Sequence, residues 1–171
     1  MIIYSREGVT QGDPFAMVMY SVGTLPLIRK LKSLVPGLKQ SWYADDCSAM
    51  GSFLYLQNWW INLELYGPEY GYIPNASKST LVVPEARLDA AKEYFNSGYG
   101  LNFKFSSGER YLGGFIGSPE KRDAFVEEKV SGWVFGIERL AMVATNHYPQ
   151  AAYSGLSKCY QHQWTYLQRV I

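Results

Sequence analysis

Residues 38–52 of this 171-residue chain read LKQSWYADDCSAMGS and contain two adjacent aspartates, Asp45 and Asp46. Polar and apolar side chains alternate weakly on both sides of Asp45-Asp46, which predicts two short strands joined at the two aspartates. Adjacent carboxylates repel each other, so folding gains nothing obvious from this pair. A divalent cation would relieve the repulsion. An exposed turn, where Asp is common, would explain the same pair without any ligand.

The composition describes a globular chain with few charges and many aromatic rings. Apolar residues make up 47% and charged residues 18%, the latter below the usual ~25%. The net charge of +1 excludes a strongly basic nucleic-acid-binding domain. A local basic cluster remains, formed by Arg29, Lys30, Lys32 and Lys39. It either contacts a phosphate backbone or forms the solvated face of a helix.

Cysteine usage and hydropathy bear on the compartment. Two cysteines without a CxxC pair exclude a disulfide framework and a zinc cluster, and they favour free thiols in a reducing compartment. The N-terminal apolar run is too short for a signal peptide. The longest weakly polar stretch, residues 14–28, is shorter than the ~20 residues that span a bilayer. We therefore expect an intracellular chain, cytoplasmic or nuclear, with no membrane partner.

Helix and strand signals around residues 38–52 predict an α+β order. Helices are predicted over residues 15–34, 53–66, 85–97 and 120–144, and from Pro149 onward. Pro26 is expected to kink or divide the first helix. In the second, adjacent Trp59 and Trp60 cannot face one way, so at least one ring is expected to be exposed or to cover another domain, unless both rings pack in the core. Strands are predicted over residues 79–83, 101–105 and 110–116, the last two around a turn at 106–108.

The last third of the chain reads as all-helical. Apolar residues three and four positions apart predict one-sided helices. These positions are Val126, Val130, Trp133, Ile137, Leu140 and Ala144 in one helix, and Tyr153, Leu156, Tyr160, Trp164 and Leu167 in the next.

Four motifs in one order give the aspartate pair a context: GVTQG at residues 8–12, YADD at 43–46, NASK at 75–78, and Leu112-Gly113. In order and spacing they resemble the palm of a reverse transcriptase, particularly the retroelement kind with a YADD box. The resemblance covers roughly residues 5–117. It implies a partial palm over residues 1–118, an antiparallel sheet with packed helices. A helical thumb-like or connecting region over 119–171 would follow, although no motif supports that part.

The resemblance also implies roles for individual residues. Asp45 and Asp46 would be the catalytic carboxylates, holding Mg²⁺ or Mn²⁺ for two-metal nucleotidyl transfer on an RNA template and DNA primer with a dNTP. The other implied residues are Gln11, Gly12 and Lys78 on the nucleotide and template side, and Leu112 and Gly113 on the primer side. Ordinary alternatives stand beside these roles: a turn before a helix for Gly12, a solvated side chain for Lys78 and a bulge at Gly113.

The sequence departs from the family at one point. Family members carry a further metal-binding aspartate on a strand before the GxxQG block, and no Asp lies among residues 1–7. We therefore expect a fragment that is inactive alone, which leaves open whether the chain itself is an enzyme. Its partner would be the upstream part of the same protein, or a second copy bound through exposed apolar surface. The competing interpretations are a non-catalytic nucleic-acid-binding or interaction module of the same fold, and an unrelated soluble domain with a fortuitous Asp-Asp turn.

Overall fold

The computed structural model describes residues 13–171. The chain divides into two compact units, Met1–Asn75 and Ala76–Ile171. Helices and pairs of short strands occur in both units, so the predicted α+β class is confirmed at that level. The finer division into a palm over 1–118 and a helical region over 119–171 stays a prediction.

Between residues 13 and 75 the first unit contains two helices and a hairpin. The helices are α1 (Ala16–Leu34) and α2 (Phe53–Tyr66), and the strands are β1 (Lys39–Tyr43) and β2 (Asp46–Met50). A 3-10 turn, Gly67–Tyr70, follows α2. The buried apolar side chains of this unit are Leu27, Leu31, Val35, Leu38, Trp59, Trp60 and Leu63. Each contributes about 1.5–3 kcal/mol relative to an exposed side chain, so the core of this unit forms from α1, α2 and the link after α1.

Helix α1 runs through Pro26 without a break, so of the two predicted outcomes, a kink or a division, the division does not occur. Proline lacks an N–H and leaves the carbonyl of Val22 without its intrahelical donor. Val22 lies on the exposed part of the helix, where water can bond that carbonyl. Buried Thr24 and Leu27 fix the helix on both sides of the proline.

None of the helices within residues 13–171 is both long and apolar enough to cross a membrane.

The predicted hairpin is confirmed. Strands β1 and β2 are antiparallel, with Tyr43 opposite Asp46 and Trp42 opposite Cys47. Ala44 and Asp45 form the two-residue connection, and Ala44 adopts a positive φ of 52°. Asp46 is therefore the first residue of β2, and the aspartates lie at the tip of the hairpin.

Helix α2 has the predicted bounds, but both of its tryptophans are buried. The side chain of Ser52 accepts a hydrogen bond from the Tyr55 N–H and caps the helix start. Trp59 and Trp60 are only 5% and 6% exposed, so both rings pack in the core, the ordinary alternative to an exposed ring. A helix that is covered on more than one side can bury neighbouring positions.

The amide of Gln40 connects the hairpin to both helices. Its Nε2 donates to the carbonyl of Ile28 in α1 at 2.9 Å. Its Oε1 accepts from Trp59 Nε1 in α2 at 3.0 Å and from Trp42 Nε1 at 3.3 Å. The rings of Trp42 and Trp59 meet edge to face at 6.4 Å. One side chain thus fixes the position of β1 against α1 and α2.

The second unit begins with a parallel strand pair, β3 (Thr80–Val82) and β4 (Lys104–Ser106). The predicted helix over 85–97 lies between them as a 3-10 turn Glu85–Arg87, α3 (Leu88–Lys92) and a π turn Glu93–Ser97. Phe95 is fully buried there, with its ring 5.7 Å from that of Phe103.

An antiparallel hairpin follows, formed by β5 (Gly108–Tyr111) and β6 (Gly114–Gly117). The predicted single strand over 110–116 and its turn at 106–108 are therefore wrong. The chain reverses at Leu112 and Gly113, which both adopt positive φ, 46° and 83°. Residues 104–106 form β4 and pair with β3, which precedes α3 in the sequence, and not with the strand that follows them.

The C-terminal helices are α4 (Pro119–Thr145), α5 (Pro149–Gly155), a π turn Leu156–Tyr160 and α6 (Gln161–Val170), which confirms the predicted helical stretch. The predicted stripe of α4 faces the last segment across a cavity of about 350 Å³, lined in part by Trp133 and Trp164. Tyr153 was expected on that face but is 72% exposed. The π turn between Tyr153 and Trp164 shifts the helical phase, so one stripe does not continue through it.

We predict that Gln40→Leu lowers the free energy of unfolding by about 2–3 kcal/mol. The substitution leaves the indole N–H groups of Trp59 and Trp42 without their acceptor, and an unsatisfied buried group costs about 1–3 kcal/mol. Urea denaturation followed by tryptophan fluorescence measures the loss. Gln168→Leu, on an exposed position of α6, is the control and is expected to stay within about 0.5 kcal/mol of the wild type. Equal stabilities of the two variants would contradict the role of Gln40.

Candidate metal site at the hairpin tip

Asp45 and Asp46 are exposed at the tip of the β1–β2 hairpin. Neither forms an ion pair within residues 13–171, where the salt bridges are Lys30–Glu69, Asp89–Lys92 and Arg122–Asp123. The two adjacent negative charges are therefore not neutralised by any described side chain. Exposed carboxylates without a cationic partner are free to bind a cation or a polar ligand.

Aromatic side chains support the tip from below. Trp42, opposite Cys47 in the hairpin, packs its ring edge to face on Tyr72 at 5.2 Å. The Tyr72 hydroxyl lies 3.1 Å from the backbone carbonyl of Asp45 and 2.9 Å from Cys47 Sγ. Tyr72 follows Gly71, which ends the 3-10 turn in a left-handed conformation. The loop after α2 thus reaches back to the residues on either side of Asp46.

Hydroxyl and thiol groups near the carboxylates are held in their neutral forms. Burial raises the pKa of Tyr72 well above its usual value, and the contact with Cys47 raises it further. Burial also raises the pKa of Tyr20 on α1, and the charge of Asp45 adds to the effect. The pKa of Cys47 is raised by burial and by Asp46, while its hydrogen bond with Tyr72 opposes the shift. Neutral donors therefore lie beside the two carboxylates.

The other predicted site residues lie outside this tip. Gln11 and Gly12 fall outside the described residues. Lys78 is exposed at the end of the 3-10 turn Ala76–Lys78 in the second unit. Leu112 and Gly113 form the tip of the β5–β6 hairpin in the same unit. The first unit thus holds the carboxylates, and the second unit holds the lysine and the Leu-Gly pair.

The Leu-Gly tip is fixed by a contact with α6. The Tyr166 hydroxyl donates a short hydrogen bond to the carbonyl of Leu112. A Cβ at Gly113 would lie 3.0 Å from the Tyr166 ring, and the φ of 83° also favours glycine there. The backbone of this tip is therefore held in one conformation by a side chain distant in sequence.

The donor set at Asp45-Asp46 suits a hard divalent cation. Mg²⁺ is commonly bound through one or two carboxylates together with waters and substrate phosphates. Within residues 13–171 no three His, Cys, Asp or Glu side chains come together as a metal cluster. The described residues therefore offer an ion two adjacent carboxylates and no larger set of protein ligands.

Two residues that shape the site were not identified from the sequence. Gln40 anchors the base of the hairpin and Tyr72 contacts its tip. Both act through contacts with residues far along the chain. The sequence carries only a weak signal for Tyr72, its position between Gly71 and Pro74 in a predicted loop.

No protein-family model, no curated protein and no solved structure matches this chain. The likeness to reverse transcriptases therefore rests on the four sequence motifs.

Proposed function

We propose that this chain is part of a retroelement reverse transcriptase, an enzyme that performs RNA-directed DNA synthesis. The observation that carries the proposal is the hairpin that presents Asp45 and Asp46 side by side at an exposed tip. This is the position that the YADD box occupies in the family the sequence resembles. Two adjacent carboxylates without a described cationic partner are suited to bind a cation, which supports a functional role.

The other motifs support the same proposal. Lys78 is exposed, and in the proposal its ammonium binds the phosphates of the incoming dNTP. Leu112 and Gly113 lie at a hairpin tip, and in the proposal this tip contacts the primer strand. Gln11 and Gly12 are assigned to the template and nucleotide side from the sequence motif alone.

In this proposal Asp45 and Asp46 hold Mg²⁺ or Mn²⁺ together with the phosphates of the dNTP. When bound, the ions activate the primer 3′-hydroxyl and neutralise charge on the departing pyrophosphate. The exposure of the tip lets an RNA–DNA duplex reach the carboxylates. Trp42 and Tyr72 support the backbone that carries them. The partners of the chain are accordingly an RNA template, a DNA primer and a dNTP.

A second candidate is a non-catalytic nucleic-acid-binding or interaction module of the same fold. It is favoured by the number of carboxylates, because two described ligands form a weak metal site. The exposed side chains of Arg29, Lys32 and Lys39 are available to phosphates in either case. Lys30 is engaged differently, since it pairs with Glu69 at 3.7 Å and lies over the ring of Tyr66.

Calorimetric titration with Mg²⁺ tests the metal site. We expect weak binding by the wild-type chain, with a dissociation constant roughly in the millimolar range, and at least about tenfold weaker binding by Asp45→Asn because one of two carboxylate ligands is lost. Glu128→Gln is the matched control, since Glu127 and Glu128 form another adjacent, exposed acidic pair on α4. Equal loss of affinity in Asp45→Asn and Glu128→Gln would contradict a specific site.

Primer extension and duplex binding separate the two candidates. For the 171-residue chain alone we expect no dNTP incorporation on an RNA template, since two carboxylates give a deficient metal site. Incorporation that Asp46→Asn abolishes would show that expectation to be wrong. For the enzyme fragment, affinity for an RNA–DNA duplex is expected to rise on adding Mg²⁺ with a dNTP. Duplex binding that ignores Mg²⁺ but falls several-fold in Lys32→Ala would favour the non-catalytic module.

A further inference from the structure

The Tyr72 hydroxyl contacts both residues that flank Asp46. It is 3.1 Å from the carbonyl oxygen of Asp45 in the turn and 2.9 Å from Cys47 Sγ on β2. The hydroxyl is the donor in both contacts, so its one proton is shared between the Asp45 carbonyl and Cys47 Sγ. The phenol thus contacts the residues on either side of Asp46.

Tyr72 is itself held in place by its own loop. Its backbone N–H donates to the carbonyl of Gly67 at 3.0 Å. A side chain at Gly67 would overlap the Tyr72 carbonyl, so glycine is required for this close approach. Gly71 supplies the left-handed turn with a φ of 73°, and Trp42 packs against the Tyr72 ring. The phenol therefore reaches the hairpin from a fixed support.

The tip needs such a support because two features work against its order. Asp45 and Asp46 repel each other, and no described cation neutralises them. Ala44 adopts a left-handed conformation that a residue with a Cβ rarely adopts. A two-residue connection with these features would be mobile if only the ladder of β1 and β2 held it.

We propose that Tyr72 is the positioning residue of the Asp45-Asp46 site, holding the tip in the conformation that binds the metal. Tyr72 acts through the backbone of Asp45 and touches neither metal nor substrate. The inference rests on the proposed function for the use of the carboxylates, while the ordering of the tip stands on the hydrogen bonds alone. Burial keeps the pKa of Tyr72 far above neutral, so the donor persists at physiological pH.

Tyr72→Phe tests the proposal, because it removes the hydroxyl and keeps the ring against Trp42. The control is Tyr66→Phe, whose ring remains beneath Lys30. ¹⁵N relaxation is measured on both variants, and Mg²⁺ affinity by calorimetry. In Tyr72→Phe we expect the order parameters of residues 44–47 to fall from about 0.85 toward 0.6. Mg²⁺ affinity is expected to fall about fivefold, the equivalent of one net hydrogen bond. Tyr66→Phe is expected to match the wild type in both measurements.

Cys47→Ala locates the effect. It keeps the bond between Tyr72 and the Asp45 carbonyl, so order parameters and Mg²⁺ affinity are expected to stay within about twofold of the wild type. A rigid tip in Tyr72→Phe would overturn the proposal, and so would a mobile tip with unchanged Mg²⁺ affinity. Loss of folding in Tyr72→Phe would assign the residue a purely structural role. If the wild-type chain binds no Mg²⁺, the proposed function fails, and relaxation still decides whether Tyr72 orders the tip.

Discussion

The hydrogen bonds of the Gln40 amide fix the hairpin on which the candidate site depends. One side chain accepts the indole N–H of Trp59 and donates to the carbonyl of Ile28, so a shift of β1 against α1 or α2 breaks these hydrogen bonds and leaves the buried indole N–H of Trp59 unsatisfied. At the opposite end Tyr72 contacts the tip. The hairpin is thus anchored at its base by Gln40 and at its tip by Tyr72, and the two carboxylates project from a supported backbone.

The charge at the tip is what distinguishes this hairpin. Asp45 and Asp46 place two like charges side by side, and no described cation neutralises them. Residues that break a local rule while the structure around them compensates are typical of functional sites. The hydroxyls of Tyr20 and Tyr72 remain neutral, so they add no further negative charge beside the aspartates.

The parts of this fold that can be predicted from the sequence are those formed by interactions between residues close together in the chain. The hairpin and the bounds of α2 follow from turn residues and from Ser52 as a cap, because these interactions involve neighbours in the chain. The parallel pairing of β3 with β4 and the chain reversal at Leu112 depend on residues that are distant in sequence. Hydrophobic periodicity therefore does not predict the bounds of these strands. The same limit applies to the site. Its carboxylates stand out in the sequence, whereas Tyr72 is brought to them across 27 positions.

Metal binding at Asp45 and Asp46 is tested most directly by paramagnetic broadening with Mn²⁺, an ion that prefers the same oxygen ligands as Mg²⁺. Substoichiometric Mn²⁺ is added to the ¹⁵N-labelled chain while its amide spectrum is recorded. If the metal binds at the hairpin tip, the amides of residues 44–47 broaden first, and Asp45→Asn prevents this broadening. Broadening that begins at the exposed acidic pair Glu127-Glu128, or that is uniform along the chain, would contradict a metal site at the hairpin tip.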